Sequence, residues 1–313
     1  MKAVVINAFG GNDVMEVREM PMPSMRPGDV LVRVRAAGVN PVDWKTREGQ
    51  TRIVVGSRFP KILGSECAGE IVEAGSLVAK WKPGDEVIAT TGFRLGAYAE
   101  FVAVPGKNVF SKPKSMPFEE AAAIPIAGMT AFTALRDKGA ITAGRKVLIN
   151  GASGGVGTFA VQIAKHYGAD VTAVCSGANE ALVKGLGADR VIDYHRQDFT
   201  LSGDRYDIIF DAVSSRSYGE CKSVLVARGV YINTLPSLSI FRDILLTSLF
   251  PGKKAATMMV GFKAADMDWL CGQIEAGRIK VVLDKVFPLD QAKEALAYSQ
   301  TGRARGKVVL KVI

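Results

Sequence analysis

The sequence predicts an α/β protein in which a β-rich region precedes a doubly wound parallel sheet. From residue 146 to about residue 234, strand-like and helix-like segments alternate, which is the order that such a sheet requires. The first of these strands, at residues 146–150, leads directly into a glycine-rich turn and a helix. Before residue 117 the chain instead shows short strand-like runs that Pro-Gly turns separate.

The glycine-rich turn reads ASGGVG at residues 152–157, and apolar residues at helical spacing follow it as far as Tyr167. Such a turn lets a pyrophosphate approach the backbone and bind the N–H groups at the helix N-terminus. The motif alone is weak, because any tight strand-to-helix turn favours glycine and the first position departs from G-x-G-x-x-G. Further strands predicted at residues 170–175, 190–193, 206–210 and 226–234 supply the context that indicates a dinucleotide site.

The elements on either side of this region are predicted from the same patterns. Val30, Val32 and Val34 alternate with residues of a second face, which predicts a strand. We expect one helix over residues 118–138, and an end to the nucleotide-binding half near residues 258–262. The rest of the chain predicts a helix at 264–276, a strand at 281–287, a helix at 291–299 and a strand at 307–312.

Composition limits the classes of protein to consider. The 313 residues suggest two domains of ordinary size, and 48% hydrophobic residues suffice for their cores. No signal peptide is expected, and no apolar run approaches the about 20 residues that span a bilayer. The four cysteines show no paired spacing, so we expect no disulfide framework and a cytoplasmic location.

The net charge of +9 raises the question of nucleic acid. Lysine and arginine are spread along the chain without a basic run, so we expect a basic surface that attracts a phosphorylated cofactor. Lys253 and Lys254 come after an apolar run at residues 245–250, which is a faint indication of membrane-surface contact. A buried or dimer-facing helix is the favoured interpretation, and no stable membrane insertion is expected.

Six motifs, taken in order, resemble those of the medium-chain dehydrogenase/reductase superfamily. They are AGVNPVDWK at residues 37–45, GSECAG at 64–69, GDEV at 84–87, AGMTA at 127–131, ASGGVG at 152–157 and GKVV at 306–309. The similarity covers essentially the whole chain and is strongest to the zinc-free quinone reductase and enone reductase branch, which includes zeta-crystallin-like proteins. It implies a GroES-like catalytic domain from residues 1–116 and 280–313, and a Rossmann cofactor-binding domain over residues 117–279.

The resemblance also bears on metal binding. Zinc-dependent members have a cysteine where this chain has Asn40 and Pro41, a histidine where it has Ser65, and a further cysteine near Pro125 and Ile126. A catalytic zinc needs three nitrogen, sulfur or carboxylate ligands, and the cysteine-rich structural zinc loop is missing too. The two histidines, His166 and His195, both fall in the nucleotide-binding half. We therefore expect no metal, and a zinc-type alcohol dehydrogenase is a disfavoured alternative.

The end of the second nucleotide-binding strand indicates which dinucleotide binds. An acidic residue there would hold the ribose diol of NAD and repel a 2′-phosphate, but the chain has Ser176 and Asn179, which are neutral donors. The resemblance adds Tyr194 and Arg303 beside the phosphate, and NADPH is the predicted cofactor. Two alternatives stay open: Ser176 and Asn179 cap helices, and Tyr194 is an ordinary strand aromatic. Many relatives carry a lysine at position 179, which weakens the charge pairing.

The predicted cofactor-binding residues are Thr130, Ser153, Gly154, Gly155, Val156, Ser176, Asn179, Tyr194 and Arg303. Thr130 resembles a family residue near the nicotinamide and its phosphates, and ordinary packing within its helix is the alternative. The cofactor would lie in the cleft that the family forms between its two domains.

Without a metal, hydrogen bonds must activate the electrophile. Hydride addition to an α,β-unsaturated carbonyl leaves negative charge on the carbonyl oxygen, which aimed donors stabilise. The resemblance places Asn40, Asp43 and Lys45 around the nicotinamide, and they are the predicted catalytic residues. Each has an alternative: Lys45 is a solvated lysine, Asn40 closes the turn before Pro41, and Asp43 caps the next helix. The final proton can come from water.

The sequence therefore predicts an NADPH-dependent reductase of quinones or of the C=C bond of α,β-unsaturated carbonyls. A catalytically quiet NADPH-binding protein is the alternative from a different class. The substrate is expected to be small and apolar, in a pocket shaped by residues 50–59, 91–97 and 235–250. A homodimer that pairs the last Rossmann strand, at residues 257–262, is expected from the resemblance.

Overall fold

The structure is a computed structural model that describes residues 1–258 and 260–312. The chain divides into two compact units. The first comprises Met1–Ile126, Phe262–Ala276 and Val281–Ile313, and the second comprises Ala127–Gly261 and Gly277–Lys280. The domain limits at residues 116 and 279 stay a prediction.

The strands, in chain order, are β1 (Lys2–Ile6), β2 (Met15–Glu19), β3 (Asp29–Val39), β4 (Lys61–Ile62), β5 (Glu66–Ala74), β6 (Glu86–Thr90), β7 (Phe101–Pro105), β8 (Val109–Ser111), β9 (Lys146–Asn150), β10 (Asp170–Cys175), β11 (Arg190–Asp193), β12 (Tyr206–Asp211), β13 (Leu225–Asn233), β14 (Lys254–Thr257), β15 (Leu283–Pro288) and β16 (Lys307–Lys311). The helices are α1 (Pro41–Arg47), α2 (Arg52–Val55), α3 (Phe118–Ala121), α4 (Pro125–Thr133), α5 (Gly155–His166), α6 (Glu180–Gly185), α7 (Tyr218–Cys221), α8 (Leu238–Ser248), α9 (Ala264–Glu275) and α10 (Ala292–Gln300).

The first unit is built on strand β3, which is the longest and lies in the middle of its sheet. That sheet has the order β15-β16-β3-β5-β6-β8, with β7 also paired to β3, and a smaller sheet has the order β2-β1-β4. Val30, Val32 and Val34 are fully buried while Arg33 is exposed, so the predicted two-faced strand is confirmed. The return strand β16 pairs antiparallel with β3, which brings the end of the chain to residues 36–39.

The second unit is a six-stranded sheet of the predicted doubly wound kind. Its order is β11-β10-β9-β12-β13-β14, and each neighbouring pair is parallel. The order reverses between β9 and β12, and ligands of such sheets bind outside the carboxyl ends of the strands at this point. Val147, Leu148 and Ile149 are fully buried, as expected for a strand covered on both faces.

Two predicted elements are wrong in detail. The helix expected over residues 118–138 is interrupted, since α3 ends at Ala121, α4 begins at Pro125, and a wider helical turn spans Ala134–Lys138. Proline lacks an N–H group and disfavours helical geometry in the residue before it, so it begins a new helix. The last strand of the second unit is β14, which ends at Thr257, rather than a strand over residues 257–262. Its partner β13 ends at Asn233, which pairs with Thr257. Met259 of the predicted strand lies outside the described residues.

Helix α8 and the residues after it expose large apolar side chains. Leu238, Phe241, Leu245, Leu249 and Phe250 are each more than half exposed. Only one side of the helix, with Ile240, packs into the core. The expected buried helix is therefore wrong for the single chain. Within the described residues, no helix is both long enough and apolar enough to cross a membrane.

Candidate functional site

A buried carboxyl group organises the polar interior of the first unit. Helix α1 begins at Pro41, a favoured first helical residue, and places Asp43 in its first turn. The backbone N–H of Asn40 donates to Asp43 Oδ2 at 2.8 Å. Ser65 Oγ donates to Oδ1 at 2.9 Å, and the Tyr98 hydroxyl donates to Oδ2 at 2.9 Å. Three donors from separate segments therefore fix one fully buried carboxyl group.

The surroundings of Asp43 shift its titration toward neutral pH. Burial raises its pKa from 3.8 to about 6, against the lowering effect of its three donors, and the charge of Glu66 adds to the rise. The same burial, with Asp43 as neighbour, raises the pKa of Tyr98 well above its usual value. Asp43 can therefore hold or release a proton close to physiological pH.

The side chain of Asn40 is held at both ends. Its Nδ2 donates to Glu66 Oε1 at 2.7 Å, and its Oδ1 accepts from Lys307 Nζ at 2.6 Å. Lys307 and Glu66 form a buried ion pair of 2.8 Å, and the other oxygen of Glu66 accepts from the N–H of Ile126 at 2.6 Å. The Asn40 amide contacts this ion pair, and the Asp43 carboxylate closes the start of α1 by accepting from the Asn40 N–H. The structure thus brings Asn40 and Asp43 together as neighbours.

Lys45 lies two residues further along α1 and is separate from that network. Its Nζ lies 5.4 Å from the centre of the Trp44 ring, in a cation–π arrangement. Burial lowers the pKa of Lys45, since desolvation disfavours the ammonium form. The side chain is half-buried rather than fully solvated.

Sequence reasoning missed three members of this interior: Glu66, Tyr98 and Lys307. The small residues Cys67, Ala68 and Gly69 that follow Glu66 are a usable indication of its burial, and a buried carboxylate requires a partner. Lys307 begins strand β16 and looks like an ordinary exposed strand end in the sequence. Its burial depends on partners 241 and 267 positions away, which no local pattern reveals.

The side chains of Asn40, Ser65 and the neighbouring Cys67 do not fit a catalytic zinc ion. The Asn40 amide is engaged at both ends, and the Ser65 hydroxyl donates to Asp43. Burial raises the pKa of the Cys67 thiol to about 12, which opposes the thiolate that zinc binds. Among residues 1–258 and 260–312, no three histidine, cysteine, aspartate or glutamate side chains are grouped to hold a metal ion.

The glycine-rich turn of the second unit has the geometry of a phosphate cradle. Gly151 has φ of +78°, a left-handed conformation that glycine adopts freely. A Cβ at Gly157 would lie 2.1 Å from the oxygen of Gly151, so only glycine lets α5 pack on the turn. A Cβ at Gly154 would meet only that oxygen, at 3.5 Å, so the space before Gly154 is open. Gly154 is the residue directly before α5, and the first turn of a helix has free N–H groups.

Two predicted cofactor residues meet beside this turn. Asn179 Nδ2 donates to Ser153 Oγ at 3.0 Å. The Oδ1 of Asn179 is buried and has no donor among the described residues. A ribose hydroxyl would supply the missing donor, so the residues present fit a dinucleotide. Neither Ser176 nor Asn179 caps a helix with its side chain, so the capping alternative is wrong.

Three further predicted cofactor residues, Tyr194, Thr130 and Arg303, lie outside the glycine-rich turn. Tyr194 is 57% exposed, and its ring centre lies 4.3 Å from that of His195. Its exposure makes it unlike a core strand aromatic. Thr130 is buried within α4. Arg303 is exposed in the turn after α10, where its backbone N–H donates to Thr301 Oγ1 at 3.2 Å.

Comparisons with known proteins extend this picture. Residues 26–114 match the family described as the alcohol dehydrogenase GroES-like domain, and residues 186–310 match the family described as zinc-binding dehydrogenase. The chloroplastic quinone-oxidoreductase QR1 of Triphysaria versicolor is 35% identical over 99% of this chain and 98% of its own. The 2-methylene-furan-3-one reductase of Solanum lycopersicum is 34% identical over 100% of this chain and 79% of its own.

A solved structure agrees with both parts of the fold. The quinone oxidoreductase from Coxiella burnetii superposes with a TM-score of 0.94 at 31% identity, covering 100% of this chain and 99% of that one. The similarity thus extends over the GroES-like and the Rossmann parts together. The chain belongs to the medium-chain dehydrogenase/reductase superfamily of oxidoreductases, with quinone oxidoreductases among its relatives.

Proposed function

We propose that this chain is a zinc-independent, NADPH-dependent reductase of quinones or of the C=C bond of α,β-unsaturated carbonyls. The observation that carries the proposal is the engagement of Asn40 and Ser65 by Glu66, Lys307 and Asp43. Side chains at the positions where zinc-dependent relatives have ligands are committed to an internal network. Activation of the acceptor then falls to hydrogen-bond donors.

The chain's own residues would hold the cofactor through the second unit. The open space at Gly154 admits a pyrophosphate to the N–H groups of α5. Asn179 Oδ1 accepts from a ribose hydroxyl, and Ser153 keeps the amide in place. Tyr194 and Arg303 are proposed to lie by the 2′-phosphate. NADPH supplies a hydride when it is bound.

The residues of α1 would stabilise the charge that develops on the acceptor. Lys45 donates from its ammonium group to the carbonyl oxygen, where negative charge appears. Asp43 fixes the start of the helix through Asn40, which keeps Lys45 in a defined position. Because burial raises the pKa of Asp43 to about 6, its protonation state changes close to neutral pH. The final proton comes from water, and no dedicated general acid is needed.

The preference for NADPH over NADH is supported by the residues just after β10. A carboxylate at that place would bind the ribose diol and repel the 2′-phosphate. The half-buried Ser176 and Asn179 carry no charge. The proposal therefore rests on the lack of a carboxylate at residues 176 and 179 that would repel the 2′-phosphate. It also rests on the aromatic side chain of Tyr194 and the cationic side chain of Arg303.

We also propose that the chain forms a homodimer in the cytoplasm. Strand β14 is an edge of the parallel sheet, and α8 packs beside it. The exposed apolar side chains of α8 are more than a single water-exposed helix normally presents. A second copy would cover both the edge and this apolar face.

Turnover with a small panel of acceptors tests the proposed reaction. NADPH oxidation is measured with 1,4-benzoquinone, 9,10-phenanthrenequinone, an alkenal and a vinyl ketone, with NADH in parallel. We expect faster oxidation of NADPH than of NADH with at least one acceptor, and the saturated carbonyl or the quinol as product. Binding of NADPH with no turnover of any acceptor would instead support a catalytically quiet binding protein. Stoichiometric zinc in the purified protein would contradict zinc independence.

A further inference from the structure

A cavity in the first unit has a strongly cationic lining that the proposed reaction does not use. Its volume is about 430 Å³, which is within the range of small-molecule sites. Four cationic side chains line it, namely Arg26, Arg58, Lys61 and Arg94. Among the described lining residues, Asp29 is the one carboxylate. Segments from four separate parts of the chain form the walls, and all of them belong to the first unit.

Part of this lining is held in place by the protein itself. Arg94 Nη1 lies 3.0 Å from Asp29 Oδ1, and the buried Asp29 also accepts from the backbone N–H of Arg26 at 3.2 Å. Lys61 Nζ donates to the oxygen of Val55 at 2.9 Å. The contacts of Arg94 and Lys61 fix these two cations while leaving donors on each of them unused.

The other two cationic side chains, Arg26 and Arg58, are exposed to solvent. Neither the Arg26 nor the Arg58 guanidinium forms an ion pair within the part of the chain that the structure describes. One carboxylate thus faces four cationic side chains, of which Arg94 is also exposed, and burial lowers the pKa of the half-buried Lys61. Such a lining favours a ligand with two negative charges over a neutral one. A guanidinium group can donate two parallel hydrogen bonds to two oxygens of one phosphate, in a bidentate arrangement.

The cavity also has an apolar side. Phe93 lines it and is 53% exposed, and Val55, Pro60 and Leu95 contribute further apolar surface. A ligand with an apolar body would cover this surface while its phosphate reaches the arginines. The apolar substrate pocket predicted over residues 50–59, 91–97 and 235–250 stays a prediction, and the first two of these segments contribute to this cationic and apolar cavity.

We infer that this cavity binds a phosphate monoester carried on a small apolar body, at a site separate from the dinucleotide turn. The inference rests on the first unit alone and does not depend on the proposed reduction. Two sources share this chemistry, a soluble organic phosphate and the headgroup of phosphatidic acid.

Calorimetric titration of the full chain with 1-naphthyl phosphate tests the inference, with 1-naphthol as the uncharged probe. We expect saturable binding of the phosphate and at least tenfold weaker binding of 1-naphthol. The double variant Arg26→Gln/Arg58→Gln should bind the phosphate at least tenfold more weakly. Arg52→Gln, an exposed change on α2 outside the lining, should leave the affinity unchanged.

Two further experiments show where the phosphate probe binds and whether the natural ligand is a soluble phosphate or a lipid headgroup. A saturating concentration of NADP⁺ should not displace 1-naphthyl phosphate, and displacement would overturn the inference because the probe would then occupy the dinucleotide site. Equal affinity in the double variant and in the unmodified chain would overturn it too. Phosphatidylcholine vesicles with and without phosphatidic acid distinguish the sources: sedimentation with the phosphatidic acid vesicles alone, lost in the double variant, assigns the ligand to a lipid headgroup.

Discussion

Asp43 shows how burial and hydrogen bonding oppose each other at a single residue. Its three donors favour the carboxylate, while its burial away from water and the charge of Glu66 favour the protonated form. The desolvation is the larger effect, so the folded protein holds this proton more tightly than the unfolded chain does. The consequence is a stability that depends on pH in a range where most carboxyl groups are already ionised.

The variant Asp43→Asn should remove that dependence. Because folding raises the pKa from 3.8 to about 6, the contribution of Asp43 to stability is full below pH 3.8 and is lost as pH rises to about 6. The free energy of unfolding of the unmodified chain, relative to the variant, should therefore fall by about 3 kcal/mol across this window. Urea unfolding of both proteins between pH 4 and pH 8 measures the difference. A difference that stays constant with pH would show that Asp43 titrates normally.

Lys307 is the second residue whose role is testable by stability. The change Lys307→Met leaves the Glu66 carboxylate buried without its cation, and we expect a loss of about 3–5 kcal/mol in the free energy of unfolding. The double variant Lys307→Met/Glu66→Gln should recover part of this loss, since it removes the unpaired charge. Urea unfolding at pH 7 gives all three values. A loss below about 1 kcal/mol in the single variant would argue against a buried ion pair.

The glycine-rich turn is the element whose two functions can be separated. At Gly157 the structure has no space for a side chain. At Gly154 the space exists, and we propose that the cofactor pyrophosphate occupies it. The two residues are three positions apart in the same turn, so they form a matched pair. One glycine serves packing and the other serves binding.

We expect Gly157→Ala to destabilise the fold by about 3 kcal/mol or more, because its Cβ would overlap the backbone at Gly151. Gly154→Ala should change the free energy of unfolding by less than about 1 kcal/mol and weaken NADP⁺ binding at least tenfold. Thermal unfolding and fluorescence titration give the two quantities. Unchanged NADP⁺ affinity in Gly154→Ala would place the pyrophosphate elsewhere.

The elements that can be predicted from the sequence are those with a local cause. The strands predicted at residues 170–175 and 190–193 match their observed bounds, because buried apolar runs between turns have few other solutions. The helix predicted over residues 118–138 is broken in the structure, and Pro125 is the visible sign of that break. The motif at residues 37–45 identifies the neighbours Asn40 and Asp43, but the ion pair of Glu66 and Lys307 depends on contacts between distant strands.

At the scale of the whole molecule, the exposed face of α8 is the feature that a single chain leaves unexplained. If a second copy covers it, the protein should elute and scatter light as a dimer. The double change Phe241→Glu/Leu245→Glu, at two exposed positions, should shift the mass to that of one chain. Light scattering coupled to size-exclusion chromatography measures it. A monomer in the unmodified protein would remove the proposed dimer without affecting the fold.

We propose that hydride passes from NADPH to the acceptor without the help of zinc. The most direct test uses NADPH with deuterium at C4, on the transferred face, and a vinyl ketone, with protein that has been dialysed exhaustively against a strong chelator. We predict full activity after chelation and one deuterium on the β-carbon of the saturated product, read by mass spectrometry and NMR. Loss of activity that zinc restores, or deuterium at the carbonyl carbon of an alcohol product, would contradict the account.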